Sequence, residues 1–416
     1  VGNVETGGGT KERYLARLFA MRFTDHSRLA IYGNMNNLND DRKPGENDNW
    51  SPSDLFGGLT QQQLGGLDYN IDARSGKYKL SGNAQVKHAD NMIVNNTNRT
   101  NFLANGDTYD RMVANNRNHN FTLSTDHQFY FEFKNANLNI KPRFNYQYYN
   151  NKSGYSSLTL NRSFASFSKA QLDSLYTPMI GRELIRTAIN RNLRNGLSIG
   201  HSLEGSVSME SLIKFKHSPD HVTLYADASL RHATEDSFDC NRIDYYTNGQ
   251  QSNTDFRNRY FNNRPDHGYS MTGKVTYSYL VKRGLFFDFS YKYNRTTSNR
   301  YSSLYRLDQL ADWGINSEHE LGILPSVDAY NRVMDIHNSY DSRQTDNTHT
   351  LGAFLVWNKK TTKSEWWAQL VPNLSLLSRT MHYHSGNVDT TFTKRSILYN
   401  MYSCLLYTSP SPRDAT

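Results

Sequence analysis

The strictest constraint on this chain is a repeated alternation of apolar and polar residues with period two. In residues 138–149, Leu138, Ile140, Pro142, Phe144, Tyr146 and Tyr148 fall on one face, and Asn139, Lys141, Arg143, Asn145 and Gln147 on the other. Period two is the signature of an extended strand, here with one apolar and one polar side. The pattern returns in Lys77–Lys87, where Tyr78, Leu80, Gly82, Ala84 and Val86 alternate with Lys77, Lys79, Ser81, Asn83, Gln85 and Lys87. It returns again in Leu285–Arg295, where Leu285, Phe287, Phe289, Tyr291 and Tyr293 share a face. Such segments, joined by connections that read as short and long in turn, predict an all-β fold: a transmembrane antiparallel up-and-down β-barrel.

A chain of 416 residues has room for two or three soluble domains or one large barrel. Only 37% of it is hydrophobic and its mean hydropathy is −0.76, poor material for several dry cores. Strands that show apolar groups to lipid on one side only keep bulk hydropathy this low. No apolar run approaches the ~20 residues of a membrane helix, so a helical membrane protein is excluded. The net charge of +8 reads as a solvated lumen and loops. Nucleic acid is not an expected partner, because the basic residues are spread out and no motif concentrates them.

The sequence starts at Val1 with no visible export signal. Cys404–Asp414 reads as the conceptual translation of a transposase sequencing adapter. The expected organisation is therefore a partial barrel over 1–403, cut inside a strand that begins at Ser396, with no domain in 404–416. With Cys404 set aside, Cys240 stands alone, and neither a disulfide framework nor a cysteine-based metal site is available.

About fourteen strands are expected. Val1–Gly8, Arg13–Phe23 and Arg28–Asn37 come first, the last two joined by Thr24-Asp25-His26-Ser27. Gly66–Asp72 and Lys77–Lys87 flank Ala73-Arg74-Ser75-Gly76, a turn sequence ending in glycine. Then follow Asn120–Phe133 with Leu138–Tyr149, Leu197–Lys216 with His221–His232, Tyr269–Leu280 with Leu285–Arg295, and His349–Asn358 with Glu365–Ser378. The other connections read as long loops: 38–65, 88–119, 150–196, 233–268, 296–348 and 379–395. Two of them carry helical spacing, Leu184, Ile185, Ala188 and Ile189 within Ser168–Leu193, and Leu304, Leu307 and Leu310 before Gly314. These helices are expected to pack against neighbouring loops.

Trp357, Trp366 and Trp367 flank one short turn and Tyr277 and Tyr279 approach another, while Tyr146, Tyr148 and Tyr149 lie at a far strand end. Aromatics at both ends match membrane-interface girdles. The polar faces carry Arg28, Lys77, Lys79, Lys87, Lys141, Arg143, Lys274 and Lys292, which would line a wet lumen or meet a plug. His382 and His384 share a face, but two imidazoles make an incomplete metal site. His319-Glu320 lacks the second histidine of a zincin helix, and Gly7-Gly8-Gly9-Thr10-Lys11 lacks the end of a P-loop. No nucleophile elbow is present. No catalytic, cofactor, metal or ligand-binding residue is assigned, and an enzyme is not expected.

Gly2–Thr10, Arg13–Phe23, Ser27–Asp40 and Leu80–Val86 resemble barrel strands of TonB-dependent-receptor-like outer-membrane proteins. The resemblance is clearest over 1–110 and architectural beyond. It implies a plug domain, a barrel of about 22 strands and a place in the outer membrane of a Gram-negative bacterium. The implied partners are outer-membrane lipid, the TonB energy-coupling complex acting through the plug, and a surface lipoprotein. The implied function is uptake of a nutrient ligand, with no cofactor. The alternatives are a plugless barrel serving as passive channel, adhesin or scaffold, and a secreted soluble β-protein that binds glycans.

Overall fold

The computed structural model describes residues 1–40, 42–44, 50–51, 58–173, 181–282, 284–317, 319–360 and 365–408. Fourteen strands form one antiparallel sheet in which each pairs with its neighbours in sequence. They are β1 (Gly2–Gly9), β2 (Arg13–Thr24), β3 (Ser27–Asn36), β4 (Leu59–Asp72), β5 (Tyr78–Asn101), β6 (Thr108–Glu132) and β7 (Ala136–Leu160). After them come β8 (Ala188–Lys214), β9 (His221–Thr247), β10 (Gln250–Lys282), β11 (Leu285–Arg306), β12 (Tyr340–Lys360), β13 (Glu365–Ser385) and β14 (Val388–Thr408). The up-and-down order follows from the short turns, which leave each strand no neighbour but the next. Among the described residues no pairing joins β1 to β14, so each keeps one open edge.

Register turns the period-two pattern into two faces. Leu80, Phe129, Ile140, Met209, Ala226 and Gly273 lie opposite one another across six adjacent strands. The apolar row continues through Tyr293 and His349 to Leu376 and Ile397. The other face reads Asn83, Asp126, Arg143, Ser206, Ser229 and Ser270. Directly opposed residues of an antiparallel pair point to the same side. A regular ladder therefore carries each strand's alternation into its neighbour's.

The strands are far longer than their apolar stretches, and this corrects the expected loops. Residues 88–119, 150–160, 188–196, 233–268, 296–306, 340–348 and 379–395 are mostly strand. Tight turns replace three of the long loops: residues 102–107, Asn248-Gly249 and Gly386-Asn387. Asn248 and Gly249 both take positive φ (54° and 75°), as a two-residue hairpin turn demands. Among the described residues, longer connections remain at the far end between β3 and β4, between β7 and β8 and between β11 and β12, away from the short turns such as Thr24–Ser27. The strand extensions carry Asn, Asp, Ser and Thr on both faces, so they give no hydropathy alternation. Cross-strand partners hold them extended instead.

The last strand starts at Val388 and not at Ser396. It runs past Ser403 in unbroken register, with Cys404–Thr408 opposite Gln369–Glu365, and this pairing lends the adapter reading no support. Residues 409–416 and the 361–364 part of one expected turn lie outside the described residues.

At the tip of β5 and β6, Asp110 is buried among donors. Its Oδ2 accepts from Arg99 Nη2 (2.8 Å) and Asn101 Nδ2 (2.8 Å), and its Oδ1 from Thr159 Oγ1 (2.8 Å). Burial is the largest influence and opposes ionisation, yet the bonds from Asn101, Arg99 and Thr159 together hold the carboxyl below its ordinary range. A depressed carboxylate stabilises above the unfolded value of about 3.9 and loses that contribution as pH falls through the folded one. Asp110→Asn places a donor against two donors. Pepsin should therefore cleave the Phe102–Leu103 turn faster in this variant than in the parent at pH 4.5. The two rates should converge as pH approaches 2, and equal rates at pH 4.5 would contradict the assignment.

Candidate functional site: a charged polar-face cavity and a capped aromatic pocket

A cavity of 720 Å³ opens on the polar face and draws residues from β5 to β11. Its charged lining is Asp126, Arg143, Glu204, Arg231, Asp266 and Arg300. Arg143 Nε lies 3.0 Å from Asp126 Oδ2. Arg231 is shared between Glu204 (3.6 Å) and Asp266 (3.7 Å). These are neighbours across adjacent strands, placed by register and not by any loop. The side chains are about half exposed, so each pair contributes little to stability. What the arrangement offers is a row of donors and acceptors of both signs, suited to polar solutes.

Acid and base alternate in the cavity, which carries three of each sign. Of the basic residues singled out in the sequence, Arg143 alone lines it. Lys79, Lys87, Lys141, Lys274 and Lys292 do fall on the polar face, and Lys77 sits in the turn before β5. Trp357, Trp366, Tyr277, Tyr279, Tyr146 and Tyr148 share the apolar face, but Tyr146, Tyr148 and Tyr149 stand in the middle of β7 and not at the far strand end expected, because that strand continues to Leu160. Tyr149 and Trp367 fall on the opposite face.

Residues 307–339 fold back over the far-end extensions of β8–β11. Leu197, Phe238, Tyr260 and Tyr305 pack with Leu307, Trp313 and Val333 from this cap. The ring of Tyr260 stacks between Phe238 (4.8 Å) and Tyr305 (5.3 Å). Its hydroxyl donates to Asp236 Oδ1 (2.8 Å) and accepts from Asn262 Nδ2 (2.9 Å). Under the cap lies a pocket of 270 Å³ lined by Cys240, Arg242, Phe256, Trp313 and His319 among others. His319 stacks on Trp313 with ring centres 4.3 Å apart. Burial, then the neighbouring Asp239 charge, pushes the Cys240 thiol up, away from nucleophilic use.

Two short helices of the 161–187 connection, α1 (Lys169–Asp173) and α2 (Arg182–Ile185), do the same for β7 and β8. Leu172 and Leu184 close over Leu158, Leu160 and Ala188. The expected helix over Ser168–Leu193 is thus broken, with Ala188 and Ile189 already in strand, and Leu304 likewise belongs to β11. The helices pack on the strand extensions and not on neighbouring loops.

A third feature escaped the sequence reading. The Asp40 carbonyl accepts from Asn36 Nδ2 (2.6 Å), Asn34 Nδ2 (3.2 Å) and Gln62, while Arg17 pairs with Glu5 (2.9 Å) and with Asp40. This pins the start of the 37–58 loop onto the polar face. The alternation of Asn34 and Asn36 was the only signal for it. His382 Nδ1 meets Thr391 Oγ1 at 2.8 Å, and among the described residues no three His, Cys, Asp or Glu side chains are placed to hold a metal.

No protein-family model matches the chain. No curated protein matches it either. Among solved structures, the ferric yersiniabactin uptake receptor FyuA from Yersinia pestis aligns over 97% of this chain and 80% of its own. The identity is 8% and the TM-score 0.18. A likeness so slight transfers no role, and each site residue is read from its own surroundings.

Proposed function

We propose that residues 1–403 belong to the barrel of an outer-membrane transporter of the TonB-dependent type, which takes up a nutrient ligand. The supporting observation is the unbroken apolar face, set back to back with a polar face that carries a charge-lined cavity. A soluble sheet with one such face needs a second layer to cover it, and lipid does so here. The far-end caps and their pocket then face the exterior, where a ligand is first met. Capture and release are differential binding between closed and open states, with no covalent step. Coupling to the TonB complex through a plug, and delivery by a surface lipoprotein, belong to the same reading.

The gene expressed in a Gram-negative host should place the protein in the outer-membrane fraction, with heat-modifiable migration on gels. Uptake that disappears when the energy-coupling complex is deleted supports the transporter reading. Uptake that survives the deletion moves the assignment to a passive channel. Recovery in the soluble fraction would favour a secreted β-protein.

A further inference from the structure

The charges of the polar-face cavity follow a regular order. Asp126 on β6 lies directly opposite Arg143 on β7, and Glu204 on β8 directly opposite Arg231 on β9. Asp266 and Arg300 come from the next hairpin, β10 and β11. Three successive hairpins thus supply one acid and one base each. Register fixes the steps between them. Arg143 shares its row with Ser206, Ser229 and Ser270. The Glu204–Arg231 couple stands two residues nearer the far end, in the row of Gly268 and Ser298. Arg300 stands two residues beyond Ser298. Each step is two strands across and two residues up, about 12 Å at the usual spacings of about 4.8 Å and about 3.3 Å.

The couples are not equally closed. Arg143 and Asp126 meet at 3.0 Å. Arg231 lies 3.6 Å from Glu204 and 3.7 Å from Asp266, beyond hydrogen-bond length, so two carboxylates share one loosely held guanidinium. Asp266 is free to turn that way because the β10–β11 register shifts between Asn262 and His267, which leaves it no opposite residue on β11. Arg300 is thereby stranded. It lines the cavity exposed, and among the described residues no carboxylate comes within ion-pair reach of it. Glu235, one row further out, is already engaged by Ser198. The cavity is neutral as a whole but divided, with a negative charge in excess around Arg231 and a positive one at Arg300.

We propose that this cavity binds short peptides with both termini charged, an inference that deepens the transporter reading above and rests on it. The carboxylate end meets Arg300, with Ser270, Thr296 and Ser298 as hydroxyl neighbours, and the ammonium end meets Glu204 and Asp266. A solute of one sign gains at one centre and is opposed by the other. A solute that carries both signs at the right separation gains at both. The step of about 12 Å matches about three to four extended residues at about 3.3–3.6 Å each. The volume of 720 Å³ falls within the range of about 300–1,000 Å³ usual for ligand pockets. Both centres are solvated, so each contributes modestly, and what the pair provides is discrimination.

The test folds the full chain into micelles and measures four probes by equilibrium dialysis: tetraglycine, its N-acetyl form, its C-terminal amide, and the peptide blocked at both ends. Insertion is followed separately by heat-modifiable migration and protease protection in vesicles. Tetraglycine should bind the parent several-fold tighter than either singly charged form, and free glycine, too short to span both centres, should bind no better than those. Arg300→Gln should lower tetraglycine to the level of the amide while leaving the amide unchanged, and Arg300→Lys should restore most of the difference. Glu204→Gln with Asp266→Asn should lower tetraglycine to the level of the N-acetyl form. The probe series on the parent decides the question even where a variant fails to insert. An N-acetyl form that binds as well as tetraglycine would make the cavity a plain anion site, and an amide that does so a plain cation site. No preference among the probes, or a preference that survives Arg300→Gln, would leave Arg300 a solvated surface arginine. Each of these overturns the proposal, and in a parent that inserts, the transporter reading stands without it. A parent that inserts in no vesicle would overturn the membrane reading itself.

Discussion

Met209→Arg should destabilise the inserted protein by ~2–4 kcal/mol, whereas Ser208→Arg, one residue away, should change it by under ~1 kcal/mol. Met209 lies on the apolar face between Ile140 and Ala226, about midway along the apolar stretch of β8, and is 40% exposed. Among the described residues no protein layer covers it. In lipid, a guanidinium there must be dehydrated or drag water inward. Ser208 points to the polar face between Lys141 and Asp227, where a longer cation finds water and a carboxylate. The two variants share strand, depth and added charge, so their difference isolates the face. Guanidinium titration of both, folded into vesicles of one lipid composition, reads it directly. Equal midpoints would mean that the apolar face is not in hydrocarbon, and the transporter reading would fall with it.

The faces were legible because each apolar stretch carries its own alternation, and every hairpin partner repeats it. Residues 138–149 read from sequence as they stand in the sheet, down to which side Phe144 and Arg143 occupy. The count of fourteen strands followed from the same signal. What sequence hid was the length of the strands. In Asn95–Asn101 or Asn115–Asn120 both faces are polar, and period two leaves no trace when its two phases have the same hydropathy. The strand there comes from the partner, as in the ladder that runs Asn95–Ala114 to Asn101–Thr108. Helical spacing misled for a related reason. Leu184, Ile185 and Ala188 are all needed for one small core, but α2 delivers the first two and β8 the third. The polar-face cavity could not be read at all, because Asp126, Glu204 and Asp266 meet their arginines only through register.

Leu307→Ala should free the cap of residues 307–339 while leaving the sheet intact. Leu307 is 1% exposed and stands at the start of the cap, in contact with the cluster of Tyr260, Tyr305 and Trp313 and beside the 270 Å³ pocket. Deleting a buried leucine costs about 2–5 kcal/mol, more where the site cannot collapse. Here the stacked rings of Phe238, Tyr260 and Tyr305 are fixed to three neighbouring strands and cannot move in to fill the void. The cap holds few other regular elements, two short 3₁₀ turns and α3 (Val327–Asn331). A loss of this size therefore falls on the cap's own folding equilibrium and not on the ladder beneath it. The expected result is rapid protease clipping within 314–326 and a red shift of the Trp313 emission, obtained by difference against Trp313→Phe. Unfolding of the sheet should be unchanged. Ile323→Ala, at a position 49% exposed in the same cap, should leave clipping near the parental rate. If both variants clip alike, the cap is held by something other than the aromatic stack. If only Leu307→Ala clips, the cap over Trp313 and His319 is held down by the packing of that one side chain into the aromatic stack.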